Sequence, residues 1–419
     1  MLGKYKNTLI ASIGSGIEYY DFIVYALMSP YLSQIFFDHA NPVHNIVYYF
    51  SVFSLGYIFR PVGGVLLGYI SDKYGRKNAF LVSTFLMCIS TFVIGFLPVK
   101  YLDKNTLVCM LVICRILQGI SFGGELSNAI TFVYESNKSK YFHGSFIFTS
   151  VGSGNILAIF VVNVLSNQLS REAIINFWWR LPFVIGGFLM LACFVFRSHL
   201  KETKESSSAR FNFLDILKKI SKQKHEVCLG VILSAAIASL IVVNLFFPTY
   251  FSIFYSYDVS QIFNLMMYSM AFSVIFSPLF GYFLNKESDK SKVFIFGIIV
   301  FLVIVICFAI VIGGNNIGMV FVFMSVYQVF ISFFFVLSLP FMTSLFSADV
   351  RNTAVAFCYN MGYIIASIIP SVVTYFKDDY GRFFVFYIVG GIYCVLMLFI
   401  VLMFKVTKKL YYDRSKNYS

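Results

Sequence analysis

The chain has 419 residues, 59% of them hydrophobic, 19% aromatic and only 12% charged, which is more apolar surface than a water-soluble fold covers with polar groups. Its formal net charge of +13 would suit a nucleic-acid partner, but the basic residues are scattered through short segments between long apolar runs, and that distribution excludes a basic binding face. A helix needs roughly 20 apolar residues to cross about 30 Å of hydrocarbon. Twelve such runs follow one another, near 9–33, 46–70, 79–99, 106–134, 144–166, 179–199, 226–254, 261–284, 293–313, 317–341, 353–376 and 383–406. They show no period-two alternation, so a lipid-facing barrel is excluded and the expected fold is an all-α polytopic membrane protein.

The first run is too long for a signal peptide and is interrupted by Glu18 and Asp21, so it is read as a span. Glu18, Asp21 and Tyr25 recur at i, i+3 and i+7, on one helical face. Span 2 carries Arg60 and Pro61 and ends in Gly64-x-x-x-Gly68, a small-residue pattern that lets helices approach closely. A tight turn follows, Gly68-Tyr-Ile-Ser-Asp72-Lys-Tyr-Gly75-Arg76-Lys77. Span 4 repeats the polar stripe with Arg115, Gln118, Phe122 and Glu125, and adds Gly119-x-x-x-Gly123. An ionisable group deep in a span costs at least about 2.5–3.5 kcal/mol, so each of these is a functional candidate. The alternative is a set of static ion pairs that orient helices.

The segment from Lys201 to Glu226 is the most polar in the chain. Phe211 to Ile220 within it spaces Leu214, Leu217 and Ile220 for one helical face. It is read either as an amphipathic helix on the inner leaflet or as a solvated linker. The expected organisation is a six-helix bundle over 1–200, a linker over 201–225, a second six-helix bundle over 226–406 and a tail over 407–419. Gly281-Tyr-Phe-Leu-Asn285-Lys286 echoes Gly68-Tyr-Ile-Ser-Asp72-Lys73, as a parallel repeat would. Gly362-x-x-x-Ala366 on span 11 is expected to meet Gly64 and Gly68 across the halves. Basic residues such as Lys73, Arg76, Lys77, Lys138, Lys140 and Arg351 fall on one side, so both termini are expected in the cytoplasm. The eight cysteines lie within spans without a C-x-x-C and are read as packing residues. The five histidines lie in or beside loops, which leaves carboxylates as the proton carriers.

The pattern G-x-x-x-D-x-x-G-R-K over 68–77 resembles the loop between helices 2 and 3 of the major facilitator superfamily. Further segments resemble its metabolite:H+ symporter family: Glu18-Tyr19-Tyr20-Asp21-Phe22, Arg60-Pro61-Val-Gly63-Gly64, Arg115 to Glu125, Trp179-Arg180-Leu-Pro182-Phe183, and Leu345-Phe346 through Arg351. That family includes proline/betaine, α-ketoglutarate, citrate and shikimate importers, and the compact length is also similar to intraphagosomal amino-acid transporters. The resemblance implies a multi-pass bacterial inner-membrane protein that acts as a monomer, without cofactor or enzymatic activity. It also implies a cavity lined by spans 1, 4, 7 and 10, which would put Glu18, Asp21, Arg115, Asn244, Tyr250 and Gln328 around it. By the same resemblance Asp72 would cap span 11 and Arg76 would pair with Glu135 to lock an inner gate, with Gly68 and Gly362 at the contact. The tail shows no heptads, so an osmosensing coiled coil is not expected.

The expectation is therefore a symporter in which Asp21, Glu18 and Arg115 couple the proton. Tyr25, Arg60, Arg115, Gln118, Asn244, Tyr250 and Gln328 would bind the solute. Two arginines among three acids suit a zwitterion such as an amino acid or betaine, its carboxylate on Arg115 and its cationic end on Glu18 or Asp21. The alternatives are a carboxylate importer, for instance of a dicarboxylate, or an uncoupled facilitator. A transporter-like sensor lacks a cytosolic output domain here, and no H-E-x-x-H, G-x-S-x-G or P-loop points to an enzyme.

Overall fold

The computed structural model describes residues 2–37, 42–200, 213–255, 257, 259–286, 297, 299, 316–369 and 391. The described chain is helical, without a strand. In order, its helices are α1 (Leu2–Leu27), α2 (Ser29–Phe36), α3 (Pro42–Tyr74), α4 (Arg76–Gly95), α5 (Lys104–Ser136), α6 (Lys140–Gln168) and α7 (Arg171–Ala173). A π-turn over Ile174–Trp178 leads into α8 (Arg180–Ser198). There follow α9 (Phe213–Lys222), α10 (Lys224–Tyr255), α11 (Val259–Lys286), α12 (Ile317–Ser344) and α13 (Arg351–Ser367). Eight of them are long and apolar enough to cross a bilayer. Predicted spans 9 and 12, the first part of the linker and the tail lie outside the described residues, apart from isolated positions.

The first predicted span is two helices rather than one. The chain breaks at Met28, and α2 restarts with Pro30 in its first turn, where the missing N–H of proline costs no intrahelical bond. The turn between α3 and α4 is made by Gly75, whose φ of 99° is open to a residue without Cβ and strained for others.

Within the first half, α3 lies on α5 and α1 on α6. A Cβ on Gly119 would stand 2.3 Å from the Gly56 carbonyl oxygen, and one on Gly123 1.9 Å from that of Arg60. These glycines bring two helices of the same half together. Gly362, expected to meet Gly64 and Gly68 across the halves, is corrected, because its Cβ would meet the backbone of Ser234 and Ala235 on α10 of its own half at 2.5 Å.

Across the halves, α13 packs on α3 and α11 on α6. The two contacts are pseudo-equivalent. Gly68 lets α3 approach Thr353, while Asp72 reaches the amides at the start of α13. Gly281 lets α11 approach Phe142, while Asn285 accepts a 3.3 Å bond from the Tyr141 amide at the start of α6. The internal repeat seen in the sequence thus has a structural counterpart.

Helix α9 packs on protein. Its Ile216 and Ile220 are buried in the same apolar cluster as Phe346 and Val350, and Lys219 donates to Asp349 in the turn before α13. Burial alone would raise the pKa of Asp349, but the bonds from Lys219 and Ser347 outweigh it and hold the carboxyl below its ordinary range. The contribution is therefore present above the usual carboxylate range and lost as pH falls through it. Both partners are partly exposed, so Asp349→Asn is expected to cost at most about 1 kcal/mol, read as a small drop in thermal midpoint that vanishes in acid.

Candidate functional site

A cavity lies between the halves, walled by Phe22, Tyr57 and Arg60 from the first and by Asn244, Gln328 and Tyr363 from the second. Among the described residues no carboxylate lines it. Arg60 is 3% exposed, and its Nε and Nη2 have no hydrogen-bond partner. Its guanidinium carbon sits 3.8 Å from the Phe122 ring centroid, 4.1 Å from that of Tyr57 and 4.5 Å from that of Phe22. Desolvated cation–π contacts are worth about 2 kcal/mol or more, enough to offset much of the cost of a buried cation while its N–H edges stay free. Asn155 Oδ1, Asn244 Oδ1 and Gln328 Nε2 also line this cavity and are buried without partners. A buried unmade hydrogen bond costs about 1–3 kcal/mol, so a cavity with five such atoms is built to receive polar groups.

Behind Phe22 and Arg60 lies a smaller pocket that Asp21, Arg115 and Gln118 share. Arg115 and Asp21 do not pair directly. Arg115 Nη1 donates to Gln118 Oε1 at 2.7 Å, and Gln118 Nε2 donates to Asp21 Oδ2 at 2.7 Å and to Thr91 Oγ1 at 3.0 Å. Tyr25 stacks on Tyr49 with centroids 4.5 Å apart and covers the Arg115 guanidinium at 3.9 Å. Asp21 Oδ1 is buried with no partner. A proton added at Asp21 would therefore change the Gln118 bridge rather than release an arginine outright.

Glu18 lines neither cavity. It is 2% exposed, with Oε1 at 2.9 Å from Ser121 Oγ. Glu125 accepts from Ser83 Oγ at 2.7 Å and pairs with Arg197, which also donates to Thr84 and to the Ala11 carbonyl. Arg197 is the functional candidate that sequence reasoning missed, because an arginine at the end of a span reads as an anchor in the headgroups. The signal was Gly14. A Cβ there would stand 1.8 Å from Arg197 Nη2, so the glycine opens α1 to the guanidinium.

At the face bearing the α3–α4 turn, Arg76 donates to Asp72 at 2.5 Å and holds Glu135 by two bonds of 3.1 and 2.9 Å. Asp72 in turn accepts from the Thr353 amide at 3.0 Å and its hydroxyl at 2.6 Å, at the positive end of the α13 dipole. Glu135 also accepts from Arg351 at 3.0 Å. These bonds tie the two halves together at one end. Since a Cβ on Gly68 would stand 2.7 Å from the Thr353 Cα, Gly68→Val should force α3 and α13 apart. The expected result is strongly reduced uptake by protein that still inserts, with increased labelling of a cysteine placed at Thr353.

Of the residues expected to bind solute, Arg60, Asn244 and Gln328 reach the cavity between the halves. Tyr25, Arg115 and Gln118 belong to the bridge behind it. Tyr250 is fully buried in an aromatic cluster with Phe251 and Tyr255, so its expected place in the cavity is corrected. Arg115, where a solute carboxylate was expected, lines the smaller pocket and not the cavity between the halves; its Nη1 is bonded to Gln118 and Tyr25 covers it, while its Nε is buried without a partner.

A family model described as Major Facilitator Superfamily matches residues 11–286 and 227–416. The glycine betaine/proline/ectoine/pipecolic acid transporter OusA of Dickeya dadantii (strain 3937) is 26% identical over 392 residues, which is 89% of this chain and 78% of that protein. The proline/betaine transporter of Escherichia coli (strain K12) is 24% identical over 90% of this chain and 79% of its own length. The α-ketoglutarate permease of the same strain is 33% identical over 216 residues, 51% of this chain and 50% of that protein. Among solved structures, the proton:xylose symporter XylE bound to 6-bromo-6-deoxy-D-glucose superposes with a TM-score of 0.77 at 16% identity, covering 96% of this chain and 95% of that one. That last likeness is one of fold.

Proposed function

This chain belongs to the Major Facilitator Superfamily, and from that membership as a multi-pass membrane transporter we propose a proton-coupled importer of a small zwitterion, an amino acid or betaine, working by alternating access. The observation that carries the proposal is Arg60, a buried guanidinium with unpartnered N–H groups in a cavity whose described lining holds no acid. Arg60 is the one cation among the described residues that line this cavity, and one cation fits one carboxylate, bound through the two parallel bonds that arginine favours. A dicarboxylate would leave its second charge among neutral groups. The solute's cationic end would meet the faces of Tyr19, Phe148, Phe335 or Tyr363, since quaternary ammonium groups are recognised by aromatic faces. Relatives named as proline/betaine transporters across most of the chain support this reading.

In this mechanism the latch at Asp72, Arg76, Glu135 and Arg351 closes the cytoplasmic face, with both termini on that side of an inner membrane. Asp21 takes a proton from outside, solute docks on Arg60, and the halves rock to open inward, as a monomer. The α-ketoglutarate permease match favours a carboxylate as the second reading. Competition against labelled proline and glycine betaine in proteoliposomes decides between them. Displacement by amino acids or betaines supports the zwitterion, whereas displacement by dicarboxylates alone overturns it.

A further inference from the structure

A second acidic station lies in the first half, outside the solute cavity. Glu18 on α1 and Glu125 on α5 are both buried, at 2% and 0% exposure, and each carboxyl meets one serine hydroxyl, Glu18 that of Ser121 and Glu125 that of Ser83. The charged groups acting on Glu18 are Glu125, Arg197 and Arg60. Of these, Arg197 is committed to Glu125, and Arg60 lies in its aromatic cage without an ion pair. Thr84 from α4 and Cys193 from α8 complete the surroundings, and on α6 the titratable group facing α1 is His143, bonded at Thr8, roughly 15 Å along the helix from Glu18. Two acids therefore share one paired cation.

Hydrogen counting points the same way. Ser121 Oγ lies 2.9 Å from Glu18 Oε1 and 2.8 Å from the Ser83 carbonyl oxygen. Ser83 Oγ lies 2.7 Å from Glu125 Oε2 and 3.0 Å from the Phe80 carbonyl oxygen. Two hydroxyls supply two hydrogens for these four contacts, and a backbone carbonyl only accepts. If Ser121 satisfies the Ser83 carbonyl, the hydrogen between Ser121 and Glu18 has to come from the carboxyl. An unpaired carboxylate buried here would otherwise face heavy desolvation with a single shared donor.

We propose that Glu18 and Glu125 form a proton-binding site holding one proton, carried by Glu18 and donated to Ser121 Oγ, while Glu125 stays ionised against Arg197. No bond to a heavy atom changes: the proton stays on the Glu18 carboxyl, and Ser121 Oγ accepts from it while donating its own hydrogen to the Ser83 carbonyl. The site is separate from Asp21, which is bridged to Arg115 through Gln118, and it keeps the proton apart from the solute. That this proton is among those transported rests on the function proposed above, but its presence does not.

Infrared spectroscopy of the purified, solute-free protein in lipid tests the site directly. The wild type should show the C=O stretch of a protonated carboxylic acid at neutral pH, with a downshift in heavy water. Glu18→Gln should abolish the band and Asp21→Asn should leave it in place. Arg197→Met should enlarge it, because Glu125 then loses its counter-charge and takes a proton too. If Glu18→Gln does not fold, Ser121→Ala should shift the band by removing its acceptor. Absence of the band in wild type, or its survival unchanged in Glu18→Gln or Ser121→Ala, overturns the site. Failure of the transport reading would appear instead as absent proton-driven uptake with the band intact, so the two failures are separable.

Discussion

Asp21→Asn is expected to abolish solute accumulation driven by a proton gradient while counterflow exchange continues. The substitution is nearly isosteric. The asparagine side chain still meets Gln118 Nε2, so the contact with Arg115 through Gln118 survives in shape. What disappears is the site that gains and loses charge. At one proton per solute, a gradient of one pH unit supports about tenfold accumulation, and the variant should fall to equal concentrations inside and out. Exchange needs only that the loaded carrier reorient, which a permanently neutral side chain permits. Uptake and counterflow measured on the same proteoliposomes check both halves of the prediction. Accumulation like wild type would show that Asp21 is not the coupling site, and loss of exchange as well would place it in solute binding or in packing.

The spans were legible because each is a chemical necessity of the bilayer, and the turn over 68–77 because its spacing puts Asp72 at a helix end and Arg76 one turn further on. Side-chain partners were less so. Periodicity assigns a residue to a face of its own helix but does not say which atom meets it. Asp21 and Arg115 are expected to couple the proton together, yet Gln118, at i+3 from Arg115, folds back to stand between them. Tyr250 lies six residues beyond Asn244, about 120° apart around an ideal helix, so the two point to different faces of α10. Glu18 and Asp21 straddle the face of α1 and meet different neighbours on α5, Ser121 and Gln118. The small residues were recognised as close contacts, but composition does not tell a contact within a half from one across it, and both kinds occur. Arg197 was hidden because its partner on α5 and the gap at Gly14 are brought together only by tertiary packing.

Replacing Arg60 separates a binding cation from a structural one. In the solute-free protein this guanidinium makes no ion pair among the described residues, and its Nε and Nη2 have no partner, so it carries a desolvation cost against which only the three rings act. Arg60→Met keeps the length and apolar packing of the side chain and removes that cost. The empty variant should melt at the same temperature as the wild type or higher. Bound solute stabilises a protein by an amount set by its concentration over its Kd, and that stabilisation should vanish with Arg60→Met. Two charge-assisted hydrogen bonds at about 1.5–3 kcal/mol each correspond to a loss of affinity on the order of a hundredfold or more. Arg60→Lys retains the charge but not the planar fork, so it should bind weakly and fall between the two. A structural role predicts the opposite pattern, in which the methionine variant melts lower and keeps its solute affinity, and that result would remove Arg60 from the binding site and the zwitterion reading with it.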